Sequence, residues 1–317
     1  DLHSFPTRRS SDLHIDLRLF LCDGAQVLER REGPGVAALS MTAAAGFSDV
    51  LRELCADWTR KHGALAVWLS GMVGSRNGWR EAQYVPCPAD TKSLSAAMLR
   101  FDADGCAITI VPGLSCINPR GAPDMLRGEE TQIFGALADY PDLKQGRHIL
   151  VLPGTHAKWA LIESGRVVQF QTSMSGELYA LLQAHSTLAA IPLGTNTDAD
   201  AAVRRDPFEQ GLDRVRDLPA VPLHHLMFEA RSRQLVGELT RADAMGFLSG
   251  LIIGQDVLGA LRLFDGMPAS GQRVTVIGAS GLTELYRTAL SSHGIDTFVI
   301  DASRATVSGL KAYAQLT

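Results

Sequence analysis

A turn between two short apolar runs carries the residues best suited to bind phosphate. The run His148–Leu152 is followed by Pro153-Gly154-Thr155-His156-Ala157-Lys158. Glycine lets backbone N–H groups approach an anion closely, while Thr155 offers a hydroxyl and Lys158 a positive charge. Together these groups suit a phosphate. The turn does not match the GxxxxGK[ST] loop, and an ordinary hairpin turn remains the alternative.

A second loop, Leu69-Ser70-Gly71-Met72-Val73-Gly74-Ser75-Arg76-Asn77-Gly78-Trp79, follows another apolar run. Loops after strands often carry sites in α/β proteins. The guanidinium of Arg76 can bind a carboxylate through two hydrogen bonds. The loop therefore fits a ligand that carries hydroxyls and a carboxylate, unless it is only a flexible surface loop.

An acidic stretch, Asp124 to Gln132, is predicted to begin a helix that extends to Ala138. Acidic residues in a first helical turn usually complement the helix dipole. In the functional interpretation, one carboxylate removes a proton from a substrate hydroxyl and Arg127 binds a carboxylate. The candidates for the base are Asp124, Glu129 and Glu130.

A fourth segment, Ile277-Gly278-Ala279-Ser280-Gly281, reads as a turn from a strand into a helix. Its small side chains leave room for a flat base or a ribose. Close packing of the helix on the strand would require the same glycines.

The second half of the chain has a clear order of elements. Ser164-Gly165 between two apolar runs is a hairpin signal, and apolar spacing predicts the helices. The predicted strands are 148–152, 159–163, 167–172, 273–277 and 297–300; the predicted helices are 175–184, 241–264, 282–290 and one that begins at 302, with a mixed helical stretch near 199–232.

The first half repeats this order. It has a hairpin at 19–22 and 25–30, strands 65–69 and 107–111, and helices 47–61, 91–99 and 124–138. Both halves thus predict an α/β fold with mixed sheets flanked by helices. A duplication of this kind places the active site in the cleft between the halves, where ligands often bind.

The repeat also predicts a glycine-bearing turn near the N-terminus. Aligning Gly24 with Gly165 places the turn 154–158 against residues 13–17, yet no glycine precedes Gly24. Residues 1–16 follow no helical or strand period and lack the apolar core of a signal peptide. We interpret them as foreign to the fold.

Composition narrows the class of protein. The chain has 317 residues, 30 Lys and Arg, 34 Asp and Glu, and a net charge of -4. Near-balanced charge without a basic tract predicts neither a nucleic-acid nor a membrane partner. Five cysteines without a CxxC pair predict no zinc site and a reducing, cytoplasmic location. A small-molecule enzyme is the expected class.

Several long strings together resemble the 2-dehydro-3-deoxygalactonokinase family. The resemblance spans about residues 17–317 and is carried by 69–79, Pro112-Gly-Leu-Ser-Cys116, Met125-Leu-Arg-Gly-Glu-Glu-Thr-Gln132, Leu152-Pro-Gly-Thr-His-Ala-Lys-Trp159 and Met174-Ser-Gly-Glu-Leu178. It implies the sugar kinase/actin/Hsp70-like superfamily, with two ribonuclease-H-like βββαβαβα domains. These would be a sugar-acid-binding domain at 17–147 and a nucleotide-binding domain at 148–317.

The resemblance implies ATP-dependent phosphorylation of the 6-hydroxyl of 2-dehydro-3-deoxy-D-galactonate, with Mg²⁺ as cofactor. By position, it assigns ATP phosphates to Gly154, Thr155, His156 and Lys158, the adenosine side to Gly278, Ala279 and Ser280, and the sugar acid to Ser70, Gly71, Met72, Arg76 and Arg127. Glu129 is favoured as the base, because related sugar kinases place a carboxylate at the start of the corresponding helix; Glu130 and Asp124 remain alternatives. No metal ligand is assigned.

The sequence departs from the family at its start. The family has Asp-Trp-Gly-Thr-Thr-Ser, a phosphate loop with a Mg²⁺-associated Asp, where this chain has Ser11-Asp-Leu-His-Ile-Asp16. Because phosphoryl transfer depends on positioned phosphate donors, we expect weak or no turnover from the chain as given. Two alternatives stay open: a related kinase for another sugar or sugar acid, and an ATP-binding regulatory protein without turnover.

Overall fold

The computed structural model describes residues 17–23, 26–33, 45–189, 206–264, 268 and 272–316. These residues form two compact units. The C-terminal unit contains residues 148–160 and 171–301, and the N-terminal unit contains residues 17–147, 161–170 and 302–316. The units thus divide the chain near residue 147, but residues 161–170 and 302–316 cluster with the N-terminal unit. The predictions about residues 1–16 lie outside the described residues.

The N-terminal unit is built from short sheets and helices. The hairpin β1–β2 is antiparallel, with Leu17 opposite Gly33. In a separate sheet of order β3-β6-β5, β3 is parallel and β5 antiparallel to β6, and a third sheet has the order β4-β7-β8. The bounds are β1 Leu17–Asp23, β2 Gln26–Gly33, α1 Ala45–His62, β3 Ala66–Leu69, β4 Val85–Pro86, α2 Thr91–Ala96, β5 Leu99–Ala103, β6 Cys106–Ile110, β7 Leu114–Ile117, β8 Pro123–Leu126 and α3 Glu129–Asp139.

One five-stranded sheet follows, of order β11-β10-β9-β12-β13. Its strands are β9 Arg147–Leu152, β10 Ala157–Glu163, β11 Arg166–Ser173, β12 Val274–Gly278 and β13 Thr297–Asp301. Strand β12 lies between β9 and β13 and is parallel to both. Ser164 and Gly165 both have positive φ, as a tight hairpin turn requires, so the predicted Ser-Gly hairpin is confirmed.

The helices that complete the chain are α4 Ser175–His185, α5 Pro207–Asp217, α6 Leu223–Met227, α7 Glu229–Leu235, α8 Arg241–Leu261, α9 Ser280–Ser291 and α10 Ala302–Ala314. Helix α8 is long and apolar enough to cross a membrane, but 72% of its most apolar window is buried. A Cβ on its Gly250 would lie 2.1 Å from the Phe208 oxygen of α5. Gly250 of α8 therefore allows close helix packing.

Helix α10 packs equally closely on α3 within the N-terminal unit. A Cβ on Gly135 of α3 would lie 1.8 Å from the Ala305 oxygen, and one on Gly309 of α10 would lie 2.0 Å from the Thr131 oxygen. Two glycines, one from each helix, thus allow the backbones to touch. This contact fixes the first turn of α3, which carries two of the candidate acidic residues.

The mixed α/β fold is confirmed, as are the main strands and helices of both halves. Three predicted helices were wrong in extent. Helix α8 ends at Leu261 rather than at Phe264. Residues 124–126 form β8, antiparallel to β7, and α3 begins only at Glu129 because Gly128 has a φ of 106°. Helix α2 ends at Ala96 rather than Leu99, since Leu99 pairs with Ile110 in the sheet.

Candidate active site

The loop after β3 is held in one conformation by its own backbone. Gly71 has a φ of 89°, a region that favours glycine, and it leads into a 3₁₀ turn at Met72–Gly74. The Trp79 N–H donates to the Val73 oxygen at 2.8 Å, and the Trp79 ring packs on Phe47 and Phe101. The loop that sequence reasoning took for a possible flexible segment is therefore ordered.

A buried carboxyl, Glu130, joins this loop to α3. Its Oε1 accepts hydrogen bonds from Ser70 Oγ at 3.3 Å and Thr131 Oγ1 at 3.0 Å, and its Oε2 accepts from the Gly128 N–H. A Cβ on Gly128 would lie 3.2 Å from the Gly71 Cα. The end of β3 and the start of α3 are thus connected through one side chain.

The surroundings of Glu130 disfavour its ionised form. The residue has no exposed surface, and this burial, with the neighbouring charge of Glu129, raises its pKa to about 7. Hydrogen bonds from Gly128 and Thr131 act in the opposite direction. The Glu130 carboxyl therefore titrates near neutral pH.

Arg127 is occupied by protein groups. Its Nη2 donates to the Ala82 oxygen at 2.8 Å and its Nε to Tyr84 Oη at 3.4 Å, and its guanidinium lies 4.2 Å from the Tyr84 ring centroid. The residue is 9% exposed, and its Nη1 is buried without a hydrogen-bond partner beside Gly74. Arg127 thus packs against the 70–82 segment and stabilises it.

The other two candidate acids differ in their positions. Glu129 is half-buried in the first turn of α3, where its Oε2 accepts the Arg127 N–H at 2.9 Å. Asp124 lies in β8, in contrast to the predicted helix, and accepts the Met125 N–H. Arg76 is exposed on the loop, and Met72 is half-buried. The structure therefore brings together Ser70, Gly71, Gly128 and Glu130, with Glu129 one residue away.

In the C-terminal unit, the turn after β9 packs on the start of α4. A Cβ on Gly176 would lie 2.4 Å from the Gly154 oxygen, and the Glu177 N–H donates to the Thr155 oxygen at 2.9 Å. The exposed side chain of His156 also pairs with the half-buried side chain of Glu177. Gly154 itself has open space where a Cβ would stand. Contacts with α4 thus fix the conformation of this turn, while the side of the turn that faces away from α4 stays accessible.

Lys158 lies in β10 and not in the turn itself. It is 6% exposed, and its Nζ donates to Thr172 Oγ1 of β11 at 2.9 Å. Because side chains alternate along a strand, Lys158 and Trp159 point to opposite faces of the sheet. The Lys158 ammonium is therefore close to the turn that follows β9, but it points into the protein interior and not to solvent.

The turn after β12 lies next to the turn after β9. A Cβ on Gly278 would meet Thr283 at 2.9 Å and the ring of Pro153 at 3.6 Å. This proximity follows from the parallel pairing of Val276 with Val151, which ends both strands at one edge. Ala279 and Ser280 are exposed there. The structure therefore brings together the two glycine turns that the sequence singled out.

One partly buried carboxyl near these turns carries no prediction from the sequence. Asp256 of α8 accepts hydrogen bonds from Trp159 Nε1 at 3.0 Å, from Ser175 Oγ at 2.9 Å and from Tyr286 Oη. The sequence shows it only as a polar residue that interrupts an apolar helix. That interruption was the available signal, since a charge within a buried helix requires partners.

Metal ligands are not clustered in the part of the chain that the structure describes. No group of three or more His, Cys, Asp or Glu side chains is placed to hold a metal ion among those residues. All five cysteines are free thiols. The described residues thus offer a divalent cation no site made by protein groups alone.

The comparisons with known proteins agree with one another. The sequence profile of the 2-keto-3-deoxy-galactonokinase family matches residues 15–313. A Rhizobium meliloti protein described as a probable 2-dehydro-3-deoxygalactonokinase is 36% identical, over 92% of this chain and 90% of the relative. The 2-dehydro-3-deoxygalactonokinase of Escherichia coli is 33% identical over 94% of each chain.

One solved structure is similar along almost its whole length. A crystal structure from Sinorhizobium meliloti, described as a 2-dehydro-3-deoxygalactonokinase protein, superposes with a TM-score of 0.80 at 34% sequence identity. The match covers 95% of each chain. Sequence and fold therefore lead to the same set of relatives.

Proposed function

The chain belongs to the 2-keto-3-deoxy-galactonokinase family, and on that premise we propose that it transfers the γ-phosphoryl group of ATP to the 6-hydroxyl of 2-dehydro-3-deoxy-D-galactonate. The family is one of kinases, and the relatives that are at least 33% identical bear the name of this activity. The observation that carries the proposal is the pair of adjoining glycine turns, at 153–156 and 278–280, at one edge of the five-stranded sheet.

The C-terminal unit takes the nucleotide in this proposal. Gly154, Thr155 and His156 contact the ATP phosphates, because the turn is accessible and the N-terminus of α4 adds a favourable dipole for anions. Gly278, Ala279 and Ser280 accommodate the adenosine side. Lys158 contributes its charge from behind the turn, since its ammonium bonds to Thr172.

The N-terminal unit takes the sugar acid. Ser70, Gly71 and Met72 line the substrate, and Arg76 is the carboxylate-binding residue because its guanidinium is exposed. Arg127, which the sequence offered for the same task, instead holds the loop through Ala82 and Tyr84.

Glu129 is the proposed base, and Glu130 positions it. Glu129 is half-buried and can reach a bound substrate, whereas Glu130 has no exposed surface. As the 6-hydroxyl oxygen bonds to the γ-phosphorus, the bond from that phosphorus to the β–γ bridging oxygen breaks and ADP leaves. The hydroxyl proton goes to the Glu129 carboxylate.

Mg²⁺ enters with the nucleotide in this scheme. It usually binds through substrate phosphates and one or two carboxylates, and its chemistry is to neutralise charge on the transferring phosphoryl group. The described residues hold no carboxylate cluster to bind it alone. Five free thiols suit a reducing compartment, so we place the reaction in the cytoplasm.

The direct test is to identify the product. With residues 1–16 replaced by the family's Asp-Trp-Gly-Thr-Thr-Ser, incubation with ATP and 2-dehydro-3-deoxy-D-galactonate is expected to release ADP and a phosphate ester on a primary carbon, whose ³¹P resonance couples to two protons. An ester on a secondary carbon would contradict the position of transfer, and no ADP release above the rate without sugar acid would overturn the activity.

A further inference from the structure

A single carboxylate inside the C-terminal unit bonds to three separate elements. Asp256 lies in the fifth turn of α8 and is partly buried. Its Oδ1 accepts from the indole of Trp159 in β10, and its Oδ2 accepts from Ser175 in α4 and Tyr286 in α9. The three donors are far apart in sequence, so only the fold brings them to one acceptor.

The donors fit an ionised carboxyl. Burial raises the pKa of Asp256 above its ordinary value, although the hydrogen bonds from Tyr286, Ser175 and Trp159 act in the opposite direction. Burial and the nearby carboxyl raise the pKa of Tyr286 well above 10, so the phenol keeps its proton and donates. An indole N–H can only donate. A polar cluster in the interior is favourable only when its members are satisfied in this way.

Two of the three donors stand directly beside the turn at 153–156. Ser175 is the first residue of α4, and the next two residues, Gly176 and Glu177, contact Gly154 and Thr155. Trp159 directly follows Lys158 in β10. A shift of either donor would therefore move the groups that are proposed to meet the ATP phosphates.

The third donor connects the cluster to the adenosine side. Tyr286 lies in α9, which begins at Ser280 immediately after the turn of Gly278. The ring of Tyr286 also lies 6.3 Å from that of Trp159, centroid to centroid. The cluster thus fixes α9 relative to β10, and with it the spacing between the two glycine turns.

We propose that Asp256 is a positioning residue of the ATP site: by binding Trp159, Ser175 and Tyr286 at once, it sets the distance between the phosphate turn and the adenosine turn. The proposal rests on the proposed function, since it takes these turns as the nucleotide site. Asp256 touches neither ATP nor the sugar acid in this account.

The test uses the full chain with Asp256→Asn and Tyr286→Phe. Asparagine keeps an oxygen for Trp159 but presents an N–H₂ group to the two hydroxyls, which must then reverse their hydrogen bonds. Tyr286→Phe removes one donor and keeps the ring. We expect Asp256→Asn to raise KM and Kd for ATP about tenfold and Tyr286→Phe about threefold, which correspond to about 1.4 and 0.7 kcal/mol. KM for the sugar acid is expected to stay unchanged.

The matched control is Leu251→Ala, which removes buried apolar volume from the same helix. It is expected to lower the melting temperature without changing Kd for ATP at a temperature where all variants are folded, checked by circular dichroism. Equal effects of Asp256→Asn and Leu251→Ala on ATP would overturn the positioning role. If Asp256→Asn does not fold, unchanged ATP affinity in Tyr286→Phe overturns it instead.

Calorimetric titration with ATP separates this proposal from the proposed function. If the unsubstituted chain binds ATP but releases no ADP with any sugar acid, the proposed activity fails, while the Kd values of the variants still decide the role of Asp256. If the unsubstituted chain binds no ATP, both proposals are overturned.

Discussion

Glu130 in the N-terminal unit, which has no exposed surface, and Asp256 in the C-terminal unit, which is partly buried, are both hydrogen-bonded carboxyls beside candidate loops, but their partners differ. Glu130 accepts a backbone N–H and two hydroxyls from residues at the start of α3 and the end of β3, and it lies next to the charge of Glu129. Asp256 accepts from three side chains on three elements.

This difference shows two ways of using a hydrogen-bonded carboxyl. A like-charged neighbour and a buried setting make Glu130 responsive to pH, which suits a region where a proton must be moved. Asp256 has only donors among its bonded partners, so it suits a region where backbone turns must be held at a fixed spacing. The predictions below test whether the two units differ in this way.

The largest effect is expected at the proposed base. Glu129→Gln should lower kcat about 10³-fold, within the range for loss of a general base, with KM for ATP unchanged. Glu130→Gln should lower kcat much less, because it retains the shape and most hydrogen bonds of the protonated residue. Steady-state kinetics measure both, with Asp124→Asn as the control in β8. The reverse order, with Glu130→Gln nearly inactive, would make Glu130 the base.

The second effect concerns the pH dependence of stability. The native pKa of Glu130, about 7, is above the ordinary value of 4.5, so between these values the native state holds a proton that the unfolded state has lost. Stability therefore falls as pH rises through this window, by about 3 kcal/mol at 1.36 kcal/mol for each pKa unit, and levels off above pH 7.

Urea unfolding at pH 5 and pH 8 measures this. Glu130→Gln cannot titrate at this position. Between pH 5 and pH 8, its free energy of unfolding should therefore rise by about 3 kcal/mol relative to that of the unsubstituted chain. The exposed Glu163→Gln is the control and should follow the unsubstituted chain. If the stability of Glu130→Gln showed the same pH dependence as that of the unsubstituted chain, another residue would bind the proton responsible.

The third effect separates the two arginines of the N-terminal unit. Arg76→Met should raise KM for the sugar acid about 10- to 100-fold, as expected for loss of charge-assisted hydrogen bonds of about 1.5–3 kcal/mol. Its stability should hardly change, because Arg76 is exposed. Arg127→Met should lower the melting temperature, because Ala82 and Tyr84 lose their donor. Kinetics and thermal unfolding of both variants give the comparison, which fails if Arg76→Met leaves KM unchanged.

The smallest effect concerns two glycines of the C-terminal unit. Gly176→Ala would place a Cβ 2.4 Å from the Gly154 oxygen, so we expect a loss of about 1–3 kcal/mol in stability and a severalfold rise in KM for ATP. Gly281→Ala, with open space at its Cβ, is the matched control and should be neutral or stabilising by up to about 1 kcal/mol. Similar KM values for the two variants would show that α4 does not shape the phosphate turn.

Local patterns were sufficient for much of the fold. The Ser164-Gly165 turn and the strands on either side of it follow from nearby residues. The pattern failed at residues 124–128, where acidic residues suggested a helical first turn. Pairing of β8 with β7 overrides that preference, and a single sequence does not show this pairing.

The candidate site residues that the sequence singled out lie in loops, in the first turn or first residues of the next element, or, for Gly278, at the last position of a strand. Gly154, Gly278 and Ser70 stand out because glycines and hydroxyls follow apolar strands. Asp256 could not be assigned a partner from the sequence, because Trp159 is 97 positions away. The hydrogen bonds of Arg127 to Ala82 and Tyr84 likewise could not be read from the sequence, and its role in binding a carboxylate stays a prediction.

The most direct test of the central claim is ADP release across a panel of sugars. It compares the chain as given with one in which residues 1–16 are replaced by Asp-Trp-Gly-Thr-Thr-Ser, on both epimeric 2-dehydro-3-deoxy acids and on neutral hexoses. The account predicts turnover with a 2-dehydro-3-deoxy acid alone and a higher kcat after the replacement, because restored phosphate donors add transition-state stabilisation. ATP binding without turnover on any sugar, or turnover on a neutral hexose, would contradict it.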